Sequence, residues 1–305
     1  MRQHFQIEVG AGLDIIGDIH GCFDEFMQLL KQLGYEEKNG LFIHPQGRKL
    51  VSVGDITSRG PKSIAALKFF IAHKRAGLSY MTDSNHGWKI ARWLDGRKVQ
   101  LTHGDDSVAT EFTDYEIKHG TSATDKLKQE SKELLLEAPS HYILMQNGKE
   151  VAVVTHAGIK DHYIGQDNSK IRDFTRYGDV RGTDKKTGRP IRYDWFLEHK
   201  SPHIIIWGHD PKLETLFTHN TVNIDQGCVF GGKLTALRFP EMTTVSVEGK
   251  HDFSYNPDNS IALQKDGCKG ETCSCLYFIE HFQTPKVCII LPVRKGSVRL
   301  ICYSG

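Results

Sequence analysis

Five short apolar segments of this sequence end in the same way, with a turn that carries Asp, Asn or His. Each segment is rich in large apolar residues, meets a Gly-containing turn and has the length of a buried β-strand. In chain order they are LDIIGDIHG (13–21), KLVSVGDITSRG (49–60), LSYMTDSNHG (78–87), EVAVVTHAG (150–158) and HIIIWGHD (203–210). Ligands of α/β proteins bind beyond the carboxyl ends of the strands, so these polar side chains are predicted to meet at one sheet edge.

Helical patterns separate several of these strands, which makes α/β the predicted fold class. The segment 23–34 places its apolar residues on one helical face and ends at Gly34, and the segment 63–77 behaves similarly. A third region, about 107–138, carries more charge. Two interpretations of it stay open: a solvated pair of surface helices, or a cap over the site that helps to select the substrate.

The composition of the chain limits the functional classes. Its 305 residues suit one large domain, or one domain with a small appendage, and 39% of them are hydrophobic, enough for a sizeable core. The 39 basic and 37 acidic residues nearly cancel, which argues against nucleic-acid binding through bulk charge. No signal-peptide core and no run of roughly 18 apolar residues occurs. Seven cysteines without secretory context indicate reduced thiols, so we expect a cytoplasmic protein that does not bind membranes.

The polar residues at the five strand ends form a set of oxygen and nitrogen ligands. The six candidates are Asp18, His20, Asp55, Asn85, His156 and His209. Such a set fits two divalent ions that share one carboxylate, and ions ~3.5–4 Å apart hold the attacking and leaving oxygens of an in-line phosphoryl transfer. Water bound there loses a proton near neutral pH and becomes the nucleophile. No cysteine is among the six, which argues against a structural zinc site.

The motifs GDIHG, GDITSRG, SNHG, HAG and GHD, in this order and spacing, resemble those of the calcineurin-like metallophosphoesterases, in particular the PPP-type phosphoprotein phosphatase branch. GDIHGCFDEF, RPIRYDW and NIDQGCVFGGKLTALRFPE are also similar to the bacterial PrpE-type dinucleoside tetraphosphatases and to the phosphatase module of bacterial polynucleotide kinase-phosphatases. The resemblance covers about residues 12–247, within which about 100–145 would be a helical cap. It implies a metallophosphoesterase sandwich of two mixed β-sheets flanked by helices.

The resemblance also implies a role for each ligand. Asp18 and His20 would bind the first ion, and Asp55 would bridge to the second. The remaining ligands of the second ion would be Asn85, His156 and His209. Manganese is the favoured metal. Iron, zinc, cobalt and nickel remain alternatives, because the same ligand set accepts all of them.

Further residues around the ions would act on the phosphate. By the resemblance, Arg59 would bind the phosphate as a planar fork and His86 would protonate the leaving oxygen. The second phosphate-binding arginine of the family best matches Arg192, with Arg181 as the rival. Asp225 would accept a hydrogen bond from the ring nitrogen of a ligand histidine that does not bind the metal, a role that carboxylates commonly have at metal sites.

The activity that the resemblance implies is hydrolysis of a nucleotide-type phosphate, first of all a dinucleoside tetraphosphate, by attack of a metal-bridging hydroxide. Two enzymatic alternatives stay open: a phosphatase of phosphorylated Ser, Thr or Tyr in proteins, and a phosphatase of polynucleotide ends. The sequence contains no Gly-x4-Gly-Lys-Ser/Thr loop, so it carries no kinase module of that type. A further alternative is a catalytically impaired relative that binds phosphate.

Three positions depart from the family pattern. The second motif is usually Gly-Asp-x-x-Asp-Arg-Gly, and its second Asp, which normally pairs with the acid histidine, is Ser58 here. Serine carries no charge, so we expect a slower general-acid step and expect Ser58→Asp to raise the rate several-fold. Ser84 replaces the Gly of the usual Gly-Asn-His, where it would shift Asn85 slightly. Gln226 stands where the relatives usually have Thr.

The resemblance ends near residue 247. Residues 248–305 are predicted to form a polar linker and then a small β-rich appendage. Free thiols are favoured for its cysteines, with a structural zinc site as the alternative, because the spacing C-x4-C-x-C differs from the usual zinc pairs. The residues concerned are Cys268, Cys273, Cys275 and His281. Cys22 and Cys228 are predicted to be small buried packing residues.

Overall fold

The structure of the chain is a computed structural model. The residues that it describes are 5–186, 188, 190–250 and 252–253, with the backbone of three strands within 276–304. The chain divides into two units, residues 1–260 and 261–305. The domain boundary expected near residue 247 stays a prediction.

The first unit contains both strands and helices, and its last part, from β9 onward, consists mainly of strands. Among its described residues the order is β1 (Gln6–Glu8), β2 (Leu13–Ile16), α1 (Phe23–Leu33), β3 (Glu36–Lys38), β4 (Leu41–Ile43), β5 (Lys49–Ser52), α2 (Ser63–Arg75), β6 (Ser79–Met81), α3 (Asn85–Leu94), α4 (Asp106–His119), α5 (Thr121–Leu136), β7 (His141–Gln146), β8 (Lys149–Thr155), α6 (Ser169–Tyr177), β9 (Asp179–Thr183), β10 (Pro190–Tyr193), β11 (Ile204–Trp207), β12 (Leu216–Thr218), β13 (Thr221–Asn223), β14 (Asp225–Gln226), β15 (Lys233–Phe239) and β16 (Thr243–Glu248). The charged region expected to be helical forms α4 and α5, which pack against α2 and α3. Its role as a cap stays a prediction.

Two mixed β-sheets form the body of this unit. One has the strand order β1-β7-β8-β11-β13-β12, and the other has the order β14-β15-β2-β5-β6 with β16 beside β15. Each sheet contains three parallel neighbours, β8-β11-β13 in the first and β2-β5-β6 in the second. In the first sheet an antiparallel pair lies on each side of these strands, and in the second sheet one lies on the β2 side, since β6 is the edge strand. The predicted α/β class with two mixed sheets is confirmed.

The two sheets pack face to face through one apolar core. Leu13 and Val51 from the second sheet lie in the same buried cluster as Val154 and Ile206 from the first. All four have no exposed surface, because alternate residues of each strand point toward the facing sheet. This packing fixes the two sheets relative to each other.

Helix α1 covers the other face of the second sheet, against β15 and β16. It buries Phe26, Leu30 and other apolar residues of one face, as the spacing predicts. It ends at Gly34, whose φ of 93° is left-handed and favours glycine. Cys22 and Cys228 are free and buried, so the prediction that they are packing residues is confirmed.

The parallel strands determine where the five motifs lie. The carboxyl ends of β2, β5 and β6 share one edge of their sheet, and those of β8, β11 and β13 share one edge of the other. Since the sheets face each other, these two edges adjoin. His156 after β8 consequently lies 3.4 Å, from Nε2 to Oδ2, from Asp55 after β5.

A buried charge network connects β2 to the segment before β5 and to β15. The Asp14 carboxylate accepts hydrogen bonds from Nε of Arg48 at 3.1 Å, Nε of Arg238 at 3.1 Å and the Tyr35 hydroxyl at 3.0 Å. Nη1 of Arg48 also donates to Glu241 at 2.8 Å. Removing charges from water costs several kcal/mol per ion unless each charge is paired. The network is therefore stable only when its partners are complete.

Arg48→Ala is expected to lower the free energy of unfolding by roughly 3–5 kcal/mol, because it leaves the buried Asp14 carboxylate with one cation fewer. Urea denaturation followed by circular dichroism measures this change. Arg97→Ala is the matched control, since Arg97 is 58% exposed in its pair with Asp95. It should lose less than about 1 kcal/mol. Equal losses in the two variants would contradict the expectation.

The second unit contains a three-stranded antiparallel sheet. Its strands are β17 (Leu276–Phe278), β18 (Lys286–Val293) and β19 (Ser297–Ser304), in that order. The predicted β-rich appendage is confirmed. The four residues considered for a zinc site, namely Cys268, Cys273, Cys275 and His281, lie outside the described residues. None of the helices described for this chain has the length and apolar content needed to span a bilayer.

Candidate metal centre

The turns that follow five strands bring the six predicted metal ligands to one place. The positions are Asp18 and His20 after β2, Asp55 after β5, Asn85 at the start of α3 after β6, His156 after β8 and His209 after β11. Asn85 and His209 are half-buried, and the other four are buried. The site therefore lies at the adjoining edges of the two sheets, as the strand pattern predicts.

The Asp55 carboxylate lies between two groups of these side chains. Its Oδ2 is 3.5 Å from Nε2 of His20 and 3.4 Å from Nε2 of His156. Ligand atoms of His20, Asp55 and His86 lie within 4.8 Å of one another, and so do those of Asp55, His156 and His209. One carboxylate is thus shared by two clusters, an arrangement that suits two neighbouring cations.

Three ligand atoms of the second cluster converge on one point. Nε2 of His156 lies 2.8 Å from Oδ1 of Asn85, and Nδ1 of His209 lies 3.0 Å from each of these atoms. Nδ1 of His156 is 3.0 Å from the Val53 carbonyl, which requires a proton on Nδ1 and leaves the lone pair on Nε2. That lone pair faces the Asn85 oxygen, which is also an acceptor. A cation between the two would satisfy both, so the residues fit a metal ion.

The other histidines are also prepared as ligands. Nδ1 of His20 lies 3.0 Å from the Thr57 carbonyl and must donate to it, so its Nε2 lone pair faces Asp55. Nε2 of His209 is buried and has no hydrogen-bond partner among the described residues. Burial lowers the pKa of His20 to about 3 and holds the pKa of His209 well below its usual value. Both rings are therefore neutral at pH 7 and keep a lone pair for a metal.

Three buried carboxylates concentrate negative charge at this point. Burial by itself raises the pKa of Asp55, but the neighbouring His156, His86 and His20 together outweigh burial and hold this pKa well below the usual range. A metal ion beside Asp55 would favour the ionised carboxylate in the same direction. Burial, followed by the nearby Asp225 and Asp55, raises the pKa of Asp18 well above its usual value. Burial also raises the pKa of Asp225 to about 7.

A family model described as Calcineurin-like phosphoesterase matches residues 13–213, a range that holds all six candidate ligands. The chain belongs to the calcineurin-like phosphoesterase family. It is accordingly a metal-dependent phosphoester hydrolase. The resemblance drawn from the five motifs is confirmed.

The relatives of this phosphoesterase include two proteins named bis(5'-nucleosyl)-tetraphosphatase PrpE [asymmetrical]. That of Anoxybacillus flavithermus is 44% identical over 234 residues, which cover 77% of this chain and 93% of that protein. That of Bacillus anthracis is 42% identical over 243 residues, covering 79% and 95% respectively. A solved structure described provisionally as a diadenosine tetraphosphatase superposes with a TM-score of 0.52 and 21% identity, covering 80% of this chain and 97% of that one. The last similarity shows the fold.

Several side chains of the phosphoesterase site are held in left-handed backbone conformations. The φ angles are 46° at His20, 42° at Asp55, 77° at Ser58, 71° at Arg59 and 70° at His209. Such conformations cost on the order of 1–3 kcal/mol each and persist where the surrounding contacts fix them. The backbone hydrogen bond from His20 N–H to Asp55 O, 2.7 Å long, is one such contact.

Ser84 stabilises the loop that presents Asn85. Its φ of −144° is extended, a conformation that does not require glycine. Its hydroxyl accepts hydrogen bonds from the backbone N–H of Asp55 at 3.0 Å and from that of Gly87 at 3.2 Å, which caps α3. Gly54 provides the space, because a Cβ there would lie 2.6 Å from Cβ of Ser84. The structure thus gives Ser84 a capping role at the position where a displaced Asn85 was expected.

Arg59 follows Ser58 in the second motif and lies half-buried beside the carboxylates. Its guanidinium stacks over the Phe230 ring, 5.1 Å from the ring centroid. Its Nε is buried and has no hydrogen-bond partner among the described residues. A buried donor of this kind fits an incoming phosphate oxygen.

Arg192 and Arg181 lie on the hairpin formed by β9 and β10. Nη1 of Arg192 is 3.7 Å from Oδ1 of Asp210, the neighbour of His209, so this side chain lies at the site. Nη2 of Arg181 is 2.6 Å from Oδ2 of Asp179 on its own strand, which engages the guanidinium. Arg192 thus lies beside the site while Arg181 is engaged on its own strand, and the identity of the second phosphate-binding arginine stays a prediction.

Asp225 and Gln226 lie near the ligands without contacting a ligand histidine in the way expected. The Asp225 carboxylate accepts a hydrogen bond from Gly227 N–H at 2.9 Å. Among the described residues it makes no hydrogen bond to a histidine, so its expected support of a ligand histidine stays a prediction. The buried amide of Gln226 has no partner in the described part of the chain.

His86 has a carboxylate partner that the sequence motifs do not indicate. Its Nδ1 lies 2.6 Å from Oδ1 of Asp105, which precedes α4 and has no exposed surface. Nζ of Lys89 lies 2.6 Å from the other oxygen of Asp105. The hydroxyl of Ser58 is buried and has no partner among the described residues. No spacing rule connects His86 with Asp105, because the two lie 19 residues apart on different elements.

Binding of Mn²⁺ to the metal-free protein is expected to release protons near pH 7. The pKa of Asp225 is raised to about 7, and a nearby cation favours the ionised form of a carboxylate. Affinity for the metal should therefore rise with pH through 7 and fall below it, where protons compete. Calorimetric titration in two buffers of different ionisation enthalpy measures the release.

Asp225→Asn should release fewer protons than the unsubstituted protein. Asp106→Asn, at an exposed position in α4, is the matched control and should release as many. Equal release from both variants would show that Asp225 does not titrate with metal binding.

Proposed function

We propose that this phosphoesterase hydrolyses dinucleoside tetraphosphates asymmetrically, so that diadenosine tetraphosphate yields ATP and AMP. The observation that carries the proposal is the Asp55 carboxylate shared by two ligand clusters, with Arg59 and Arg192 beside it. The 44% identity to a tetraphosphatase of the PrpE type supports the choice of substrate. That similarity extends over 93% of the relative, so it includes the regions around the site.

Two divalent ions, manganese in the first place, are the proposed cofactors. The proposed ligands are Asp18, His20, Asp55, Asn85, His156 and His209, of which Asp55 would be shared by the two ions. When bound, the ions neutralise phosphate charge and supply an activated water. The contact of His156 with Asn85 and that of His20 with Asp55 support this assignment.

The side chains of the chain then bind and orient the phosphate. Arg59 and Arg192 donate hydrogen bonds to its non-bridging oxygens, which orients one phosphorus for in-line attack. The water oxygen bonds to that phosphorus and the bond to the bridging oxygen breaks. Nε2 of His86 gives its proton to the departing oxygen, and solvent accepts the proton lost by the water. One water is consumed and two nucleotides leave.

An active enzyme is favoured over a phosphate-binding relative that has lost catalysis. Ser84, one of the two departures that raised this alternative, caps α3 and bonds to the Asp55 backbone. At the other departure, Ser58, the acid His86 still has a carboxylate partner in Asp105. The phosphoprotein and polynucleotide-end activities are competing outcomes of the test below. A cytoplasmic location is part of the proposal.

The unsubstituted protein with Mn²⁺ is expected to convert diadenosine tetraphosphate to equal amounts of ATP and AMP, measured by ion-exchange chromatography. A phosphopeptide and a 5'-phosphorylated oligonucleotide, tested in parallel, should be hydrolysed at least about tenfold more slowly. Asp55→Asn should reduce the rate by ~10²-fold or more, because it removes the charge shared by both clusters. Formation of ADP alone, or faster release of phosphate from the peptide or oligonucleotide, would contradict the proposed substrate.

Arg192→Ala is expected to raise the KM for diadenosine tetraphosphate by about 10-fold or more, since a hydrogen bond to a charged group contributes about 1.5–3 kcal/mol. Arg181→Ala is a matched control on the same hairpin, because its guanidinium is engaged by Asp179. It should change KM by less than about twofold. The reverse order of effects would transfer the phosphate-binding role to Arg181.

A further inference from the structure

We propose that Asp105 is the positioning residue of His86 and provides, from the loop before α4, the carboxylate that the second motif lacks at Ser58. The inference rests on the proposed role of His86 as the acid. It does not depend on which phosphate ester is the natural substrate. Asp105 would act through His86 and would not contact the substrate.

The contact has the geometry of a charge-assisted hydrogen bond. The distance from Nδ1 of His86 to Oδ1 of Asp105 is 2.6 Å, and the Asp105 carboxylate has no exposed surface. Nζ of Lys89 lies 2.6 Å from Oδ2 of Asp105, so its positive charge is paired with the other oxygen of the carboxylate. A buried carboxylate is costly unless it is paired on both sides, so the arrangement requires both partners. The Asp105 carboxylate that contacts His86 is thus itself held in place by Lys89.

The carboxylate determines the state of the imidazole. An ionised carboxylate only accepts hydrogen bonds, so Nδ1 of His86 must carry a proton. Nε2 is then the atom that gains and loses a proton during the reaction. When Nε2 is protonated, the negative charge of Asp105 stabilises the imidazolium and keeps the ring in one orientation, as a buried carboxylate does beside other catalytic histidines. Ser58 supplies neither the charge nor, among the described residues, a hydrogen bond to the ring.

The loop that carries Asp105 is packed directly onto the second motif. Backbone N–H of Arg59 donates to Gly104 O at 2.8 Å. Gly104 has a φ of 83°, and a Cβ there would lie 2.7 Å from Cα of Arg59. The preceding His103 is also left-handed, with a φ of 61°. This strained and close contact places Asp105 beside His86 while it supports the phosphate-binding Arg59.

A salt bridge between the buried Asp105 and Lys89 that serves stability alone is the simpler alternative. In that case the contact with His86 would be incidental, and loss of the carboxylate would affect stability and all substrates alike. A role in positioning the acid predicts a different pattern, in which the loss depends on the leaving group. Poor leaving groups need the proton from His86, whereas good leaving groups depart with little help.

The first test compares phenyl phosphate with p-nitrophenyl phosphate, whose leaving group needs less protonation. Asp105→Asn should lower kcat for phenyl phosphate by about 10–100-fold and kcat for p-nitrophenyl phosphate by about threefold or less, with KM nearly unchanged. Asp106→Asn, the same substitution at the next residue, should leave both within about twofold. Equal losses on the two esters from Asp105→Asn would overturn the proposal.

The second test observes the hydrogen bond without turnover. In the ¹H spectrum of the metal-free protein, the Nδ1–H of His86 should give a downfield resonance that His86→Gln removes. Asp105→Asn should abolish or strongly shift this resonance, and Asp106→Asn should retain it. An unchanged resonance in Asp105→Asn would overturn the proposal even if neither ester were hydrolysed.

The third test returns the carboxylate to the second motif. Ser58→Asp combined with Asp105→Asn should recover about tenfold or more of the lost rate on phenyl phosphate. Ser58→Asp alone should change the rate by less than about twofold, because Nδ1 of His86 has a single proton that Asp105 already accepts. This expectation replaces the increase predicted from the motif. A double variant as slow as Asp105→Asn would show that the carboxylate is not interchangeable between the two positions.

Discussion

The buried carboxylate of Asp55 is the group on which the rest of the site depends. Its backbone oxygen accepts from His20 N–H, its backbone N–H donates to Ser84, and its carboxylate accepts from His86 N–H and lies 3.4 Å from His156. Four of the five motif segments therefore meet at one residue. A buried carboxylate is stable in its charged form only beside positive charge. The cations of the family would meet that requirement, and the histidine lone pairs around Asp55 would hold them there. Structure and chemistry are therefore centred on the same carboxylate.

The close approach of the motif loops explains their glycines. A Cβ on Gly208 would lie 2.1 Å from Oδ1 of Asp18, and a Cβ on Gly54 would lie 2.6 Å from Cβ of Ser84. Loops packed this tightly cannot relax around a misplaced ligand, so the lone pairs and charges are fixed before any phosphate arrives. The left-handed conformations at His20 and Asp55 are retained for the same reason, because the surrounding hydrogen bonds leave no alternative. The apolar core between the two sheets supplies the rigid base for these loops.

The pair Ser58 and Asp105 shows how far a motif can be trusted as evidence for chemistry. A motif indicates which group a position contributes, but a site requires only that the group lies at the right point in space. In this chain the position within the second motif is occupied by Ser58, while a carboxylate from a different loop lies 2.6 Å from the imidazole. Absence of one motif residue is therefore poor evidence for loss of catalysis. The same caution applies to Ser84, which acquires a capping role where glycine is usual.

The sequence alone determined the strands, their polar ends and the family, because buried strands need continuous apolar segments and parallel strands deliver their ends to one edge. It also identified the side chains that the structure brings together around Asp55. The tertiary structure decided what depends on contacts between distant segments: the partner of His86, the position of Arg192 beside Asp210, and the space that admits Ser84. Such contacts leave no periodicity or spacing in the chain, since they arise only when two faces pack together. Hydrogen bonds between loops depend on how the sheets and helices pack, and the spacing of residues along the chain does not specify that packing.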